Sequence, residues 1–185
     1  MADRTKYALK EALYEVIKDK PLSKVTISDI TDKCGVSRMT FYYHFKDIEG
    51  LIAWVCKVNS EELLLNNRDI IEWQDAYRAI LEASHRDKAF VLNVYNSVSR
   101  EEIRDYMLSV MDVISLRLFQ LETKNLNISI EDGEFITRFS DQALAGLYMD
   151  WLEGGMNEED IDEVVNNVYK ILTPAIPAIL NNFAK

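Results

Sequence analysis

The polar side chains best suited to binding chemistry are concentrated in the stretch SRMTFYYHFK, residues 37–46. It holds a guanidinium at Arg38, adjacent phenols at Tyr42 and Tyr43, and an imidazole at His44. A guanidinium can bind a guanine edge through two hydrogen bonds, and phenolic hydroxyls can donate to phosphate oxygens. These residue types, so close together, indicate contact with a nucleic acid.

Patterns typical of catalytic or metal sites are missing from the sequence. It has no G-x-S-x-G, no phosphate-binding glycine loop and no H-E-x-x-H. The histidines, His44 and His85, are far apart, and Cys34 and Cys56 lack metal-ligand spacing. We therefore expect no catalytic residue, no metal ion and no cofactor, and we interpret both cysteines as small core residues.

A pair of short helices over TISDITDKCGVSRMTFYYHF, residues 26–45, must position the polar side chains. Thr26 and Asp29 have the spacing of a capping box at the start of the first helix. Gly35 suits the left-handed backbone that ends a helix, and Ser37 can cap the second helix. Two helices joined by a tight glycine-containing turn are the unit that places a helix in the DNA major groove.

The orientation of the second helix follows from a rotation of about 100° per residue. Phe41 and Phe45 point the same way and are expected in the core, so the opposite side faces outward. From spacing alone, a short bundle helix with internal tyrosines remains an alternative. The residues predicted to contact DNA are Thr26, Ser37, Arg38, Met39, Thr40, Tyr42, Tyr43, His44 and Lys46.

The run T-I-x-x-I-x-x-x-C-G-V-S-x-x-T-F-Y-Y-H-F, followed by D-I-E-G-L-I, resembles the amino-terminal domain of the tetracycline-repressor (TetR) family. The resemblance implies a three-helix DNA-binding domain and a fourth helix that connects it to a variable ligand-binding and dimerisation domain. It also implies a two-fold dimer on a palindromic operator.

One departure from that family lies at Ile48, where many members have a lysine that grips a phosphate. Either Lys46 or the helix amides compensate, or the affinity for DNA is lower. The blocks YYHFKDIEGLIAWV and WLEGGM are similar to a subfamily from low-GC Gram-positive bacteria. Some of its members, such as the dihydroxyacetone-kinase operon regulator, act as activators, so the sign of regulation stays open.

The whole chain is expected to be all-α, with about nine helices, because nearly every segment has a 3.6-residue period and breakers are few: three Pro and six Gly in 185 residues. We predict a helix-turn-helix domain over residues 1–46 and a helical effector-binding and dimerisation domain over residues 47–185. The formal net charge of −10 divides into +3 over residues 1–46 and −13 over residues 47–185. The acidic range would repel DNA, so we expect DNA to bind to residues 1–46. No apolar run approaches the ~18 residues of a membrane span, and we predict a bacterial cytoplasmic protein.

Apolar and small residues on the last two predicted helices are candidates for a homodimer interface, although packing within one chain is plausible for half of them. These residues are Phe139, Ala143, Gly146, Leu147, Trp151, Val164, Val168 and Ile171.

A pocket for a small-molecule effector is expected among the middle helices. The candidate walls are Tyr77, Phe90, Tyr95, Tyr106, Met107, Met111 and Tyr148, and the candidate polar anchors are His85, Asn93, Asn96 and Arg117. An ordinary helical core is the alternative interpretation of these candidate wall residues.

Taken together, the sequence predicts a homodimeric regulator that binds double-stranded DNA. The alternative function is that of a protein of this fold that binds DNA weakly and acts through a protein partner.

Overall fold

The computed structural model describes residues 2–67, 69–70 and 72–184, and across these ranges it is helical without strands, as predicted. In the described part, no helix is both long and apolar enough to cross a membrane. The helices are α1 (Ala2–Asp19), α2 (Ile27–Cys34), α3 (Arg38–His44), α4 (Ile48–Asn66), α5 (Trp73–Arg86), α6 (Lys88–Tyr95), α7 (Arg100–Glu122), α8 (Ile130–Glu153) and α9 (Glu159–Phe183), with a short 3-10 turn at Leu22–Lys24 between α1 and α2.

The chain divides into two compact units that differ from the predicted division after residue 46. The first unit comprises Met1–Glu62 and Asp87–Val98, and the second comprises Leu63–Arg86 and Ser99–Lys185. Most of α4 thus belongs with the first three helices, because Leu51 and Val55 on its inner face are fully buried in their core. Helix α6 joins the same unit although it lies far along the chain.

The core of the first unit forms where α1, α2, α3 and α4 meet. Leu9 and Leu13 of α1, Ile30 of α2, Phe41 of α3 and Leu51 of α4 are all fully buried there. Their spacing within each helix puts one apolar face inward. This core fixes the position of α3, whose seven residues are too few to be stable alone.

Helix α6 packs on α1, which corrects the prediction that this segment belongs to the effector-binding domain. Phe90 stacks on Tyr14 with ring centroids 4.8 Å apart, and the Asn93 side-chain oxygen accepts a hydrogen bond from the Leu22 amide at 3.1 Å. Phe90 is therefore a core residue of the first unit, and Tyr95 and Asn96 belong to that unit too. A helix that is apolar nearly all round has no single face to indicate its neighbours, which is why the sequence misplaced it.

In the second unit, α7 and α8 pack closely along each other. Helix α8 begins at Ile130, where the Ser129 hydroxyl caps it by accepting a hydrogen bond from the Asp132 amide at 3.2 Å. Gly133 therefore lies within the helix, where a Cβ atom would be 2.8 Å from the ring of Phe119. The missing side chain allows the two helices to approach at this point.

Both cysteines pack against the core of the first unit, as predicted, and neither forms a disulfide. Burial raises the pKa of the Cys56 thiol to about 11 and also raises that of Cys34. Since the thiolate is the reactive form, the Cys56 thiol is a weak nucleophile at neutral pH.

Candidate nucleic-acid interface

The first helix of the pair, α2, begins with the predicted capping box. The Thr26 amide donates to the Asp29 carboxylate at 2.7 Å, and the Asp29 amide donates to the Thr26 hydroxyl at 3.2 Å. Lys20 forms an ion pair with the same carboxylate. The hydrogen bond from Lys20, followed by those from Thr26, lowers the pKa of Asp29 to about 2. Lys20 offsets the negative charge that Asp29 would otherwise present to an approaching phosphate.

The turn between the helices depends on Gly35, which has a left-handed backbone with φ +71°. Here the Val36 amide donates to the Thr31 carbonyl at 3.0 Å, which closes the end of α2. Ser37 then caps α3 by accepting from the Thr40 amide at 3.1 Å. The direction of α3 is therefore set by local bonds as well as by packing.

Helix α3 divides into a buried side and an exposed side, as the rotation per residue predicts. Phe41 is fully buried and Phe45, just beyond the helix, is 7% exposed. On the other side Met39 is 78% exposed and Tyr43 81%, while Tyr42 is 47% exposed. The tyrosines do not line an internal contact within the chain, so the bundle-helix alternative is not supported.

The other predicted contact residues have mixed environments. Arg38 and Lys46 are exposed at the two ends of α3, and Ser37 and Thr26 are exposed at the helix starts. Thr40 is half-buried, and its hydroxyl lies 2.9 Å from that of Ser37, so both hydroxyls already have a partner. His44 is also half-buried, with its ring edge-on to Tyr43 at 5.0 Å. The face therefore presents the exposed cations Arg38 and Lys46 and two phenols around the exposed Met39.

A separate cleft of about 120 Å³ lies within the second unit, between α5, α7, α8 and α9. Of the predicted pocket walls, Tyr77 and Met111 line it. Tyr106, Met107 and Tyr148 belong to the same unit but are not among its described lining residues. Tyr148 is a buried core residue whose hydroxyl donates to Ser84 at 2.9 Å.

Two of the predicted polar anchors, His85 and Arg117, lie in the second unit and have hydrogen-bond partners there. His85 lies 3.0 Å from the Met156 carbonyl through Nδ1. Arg117 donates to the Ile70 carbonyl at 2.9 Å and lines a second hollow of about 210 Å³.

The buried acid of the first cleft, Asp141, was not predicted from the sequence. Its signal was the spacing of Thr137, Asp141 and Ala145, which puts an aspartate on the buried stripe of α8.

Asp141 is only 3% exposed, and its carboxylate accepts a hydrogen bond from the Ser115 hydroxyl at 2.8 Å. Burial is the main cause that raises the pKa of Asp141 to about 6; the nearby Asp112 carboxylate adds to the increase, and the hydrogen bond from Ser115 opposes it. The folded chain therefore holds a proton at pH values where the unfolded chain has released it. The contribution of Asp141 to stability falls as the pH rises from about 4 through 6.

We predict that Asp141→Asn stabilises the protein at pH 8 by up to about 3 kcal/mol and has little effect at pH 4. The amide keeps an oxygen for Ser115 but carries no buried charge. Urea unfolding of the two proteins across pH 4 to 8 measures this, and the difference between them isolates Asp141 from the other acids. A difference that is independent of pH would contradict the prediction.

The structure divides the predicted interface residues into two groups. Trp151 and Val168 are buried, and the Trp151 indole nitrogen donates to the Asn157 carbonyl at 3.0 Å, so both belong to the core within one chain. Val164 is half-buried. The exposed group consists of Phe139, Ala143, Gly146 and Leu147 on α8 and Ile171 on α9. Phe139 is 63% and Ile171 67% exposed.

An all-helical chain with a capped helix-turn-helix and an outward tyrosine pair has the features of a DNA-binding regulator. Residues 9–55 match the family model described as "Bacterial regulatory proteins, tetR family", and residues 72–174 match the model described as "Transcriptional regulator C-terminal region". This protein belongs to the TetR family of transcriptional regulators. Its helix-turn-helix is the DNA-binding element that the family implies.

Similar proteins include the HTH-type dhaKLM operon transcriptional activator DhaS of Lactococcus lactis subsp. lactis (strain IL1403). It is 20% identical over 164 residues, which span 88% of this chain and 87% of that protein. The solved structure of the dihydroxyacetone kinase operon activator DhaS shares the fold with a TM-score of 0.68 and 19% identity, covering 98% of each chain.

Two further solved structures share the fold. A transcriptional regulator from Aquifex aeolicus VF5 has a TM-score of 0.63 at 18% identity and covers 91% of this chain and 99% of its own. NalD, the secondary repressor of the MexAB-OprM multidrug efflux pump in Pseudomonas aeruginosa, has a TM-score of 0.59 at 18% identity and covers 91% and 94%. Relatives named as activator and as repressor thus share this architecture.

Proposed function

We propose that this regulator binds a two-fold symmetric duplex site as a homodimer, with one α3 in each of two successive major grooves, and that a small molecule controls it. The outward position of Met39, Tyr42 and Tyr43, opposite the buried Phe41, carries the proposal. In such a complex the phenols contact phosphates or bases, while Arg38 and Lys46 neutralise phosphates. The proposed activity is DNA binding rather than catalysis. It takes place in the bacterial cytoplasm, which contains the DNA.

The homodimer part of the proposal is supported by the exposed side of α8. Phe135, Phe139 and Leu147 form an apolar stripe there, beside the small residues Ala143 and Gly146. An exposed stripe of this kind is costly in water and typical of an interface. A two-fold dimer also satisfies the geometry of two half-sites about 34–36 Å apart.

Control by a small molecule is supported by the chain connectivity. Helices α5 and α7 both line the cleft in the second unit, and α6, the helix between them in the chain, belongs to the first unit. A ligand that changes the positions of α5 and α7 would act on both ends of α6, and so on the unit that holds α3. Coupling of this kind is reciprocal and typically about 1–3 kcal/mol.

The proposed DNA binding is tested by its dependence on salt. A duplex site is first selected from random sequences, and its affinity is then measured by fluorescence anisotropy at increasing KCl concentration. Arg38 and Lys46 from two heads would neutralise four phosphates, so log affinity should fall against log salt with a slope of about −4. Arg38→Gln should make this slope less negative by about 2.

Lys124→Gln is the matched control, because Lys124 is an exposed cation in the second unit, outside α3. It removes the same charge and should leave the slope unchanged. Failure to select any duplex, or a slope near zero, would contradict the proposal and favour the alternative, a regulator that acts through a protein partner. Ile48 and the acidic second unit are the features that favour this alternative.

A further inference from the structure

The cleft in the second unit combines an apolar wall with a single buried acid. Apolar side chains from four helices form most of the wall, among them Met111, Ile136 and Leu172. Asp141 lies on the same wall, and the described residues provide it with one hydrogen-bond donor, Ser115. A carboxylate in such surroundings is held at a cost in stability unless an opposite charge compensates it.

No such charge is supplied within the described part of the cleft. None of the residues that line it is a lysine, arginine or histidine, and the other carboxyl side chain on the wall is that of Glu122. The charged group that acts on Asp141 is the carboxylate of Asp112, which has the same sign. The carboxyl groups on the described wall therefore lack a cationic partner in the lining, and their charge would repel anionic ligands and attract cations.

The aromatic lining adds a second feature that suits a cation. Trp73, Tyr77 and Phe119 all line the cleft, and the faces of aromatic rings attract ammonium groups. The Tyr77 hydroxyl donates to the Leu144 carbonyl at 3.0 Å, which fixes this ring in position. The volume of about 120 Å³ is close to that of cavities that accept a benzene-sized molecule, about 150 Å³.

We propose that this cleft binds a small organic ammonium ion, with the charged group on Asp141 and the apolar body between α5, α7, α8 and α9. This inference deepens the proposed control by a small molecule and rests on it. The bound ammonium would complete the interaction that the protein leaves unfinished at Asp141. Neutral alcohols of the same shape would fill the apolar space without that interaction, and carboxylates would be repelled.

A matched panel of ligands tests the proposal by isothermal titration calorimetry on the full chain at pH 7.5. Butyl, hexyl and phenylethyl bodies each carry an ammonium, a hydroxyl or a carboxylate group. The best ammonium should bind about ten- to a hundredfold more tightly than its alcohol, as expected of a hydrogen bond to a charged group, and its carboxylate should not bind. Quenching of Trp73 fluorescence, absent in Trp73→Phe, locates the ligand.

Asp141→Asn should remove the preference for ammonium over alcohol while the alcohol still binds, which excludes misfolding as the reason. Glu134→Gln, which removes the same charge from an exposed residue of α8 that does not line the cleft, is the control and should keep the preference. Equal binding of ammonium and alcohol, or no binding by any ammonium, would overturn the proposal. The affinity of the wild-type chain for the selected duplex is measured in parallel. Failure of the ligand proposal leaves this DNA binding intact, whereas a wild-type chain that binds no duplex would refute the proposed function instead.

Discussion

Replacing both Tyr42 and Tyr43 by alanine is expected to weaken binding of the selected duplex by at least about a hundredfold. Each side chain that contacts a base or phosphate contributes roughly 1–3 kcal/mol, and a dimer would lose four tyrosines at once. The fold should not suffer, because Tyr43 projects into solvent and Tyr42 is half-exposed beside Phe41. Anisotropy titration measures the loss, and urea unfolding should show a change within about 1 kcal/mol.

The single variants separate the two ways in which these residues can act. Tyr43→Phe removes only the hydroxyl. The affinity for the duplex should fall if the phenol donates to a phosphate, and it should stay unchanged if the ring packs on a sugar or a thymine methyl. Lys124→Gln again controls for nonspecific effects. Wild-type affinity in the double alanine variant would mean that α3 does not enter the groove as proposed.

The helix-turn-helix could be predicted from the sequence because its determinants are local. Thr26 bonds to Asp29 and Ser37 bonds to Thr40, each over three residues, and the backbone at Gly35 follows from the absence of a side chain. Rotation per residue then predicts which side of α3 is buried. The prediction that Phe41 faces the core needs no knowledge of which helix it contacts.

The features that could not be predicted depend on contacts between distant parts of the chain. The packing of α6 on α1 joins residues about 70 positions apart, as in the bond from the Leu22 amide to Asn93. Asp141 was overlooked for a different reason, since an aspartate on a helix is usually assumed to be exposed. Trp151 and Ile171 were both predicted as interface residues, and the position of the neighbouring helices makes the first buried and leaves the second exposed.

Replacing Phe139 by glutamate is expected to disrupt the proposed dimer and, with it, the binding of DNA. Phe139 lies in the exposed apolar stripe of α8, so a carboxylate there costs the isolated chain little but would be buried against its symmetry mate. We expect sedimentation equilibrium to show a monomer. The affinity for the duplex with two half-sites should fall about 10²–10⁴-fold. In a dimer, binding of one α3 raises the effective concentration of the other α3 at its half-site, and a monomer lacks this gain.

Leu121→Glu is the matched control, since Leu121 of α7 is a half-exposed apolar residue outside the stripe and receives the same charge. It should leave both the dimer and the affinity unchanged. Gly146→Leu gives an independent check. A Cβ at Gly146 would meet no described atom beyond its own stretch of helix within 4 Å, yet a bulky side chain there would hold two copies of α8 apart. If both Phe139→Glu and Gly146→Leu stay dimeric and bind the duplex normally, the two copies must meet elsewhere, and the exposed stripe on α8 needs another partner.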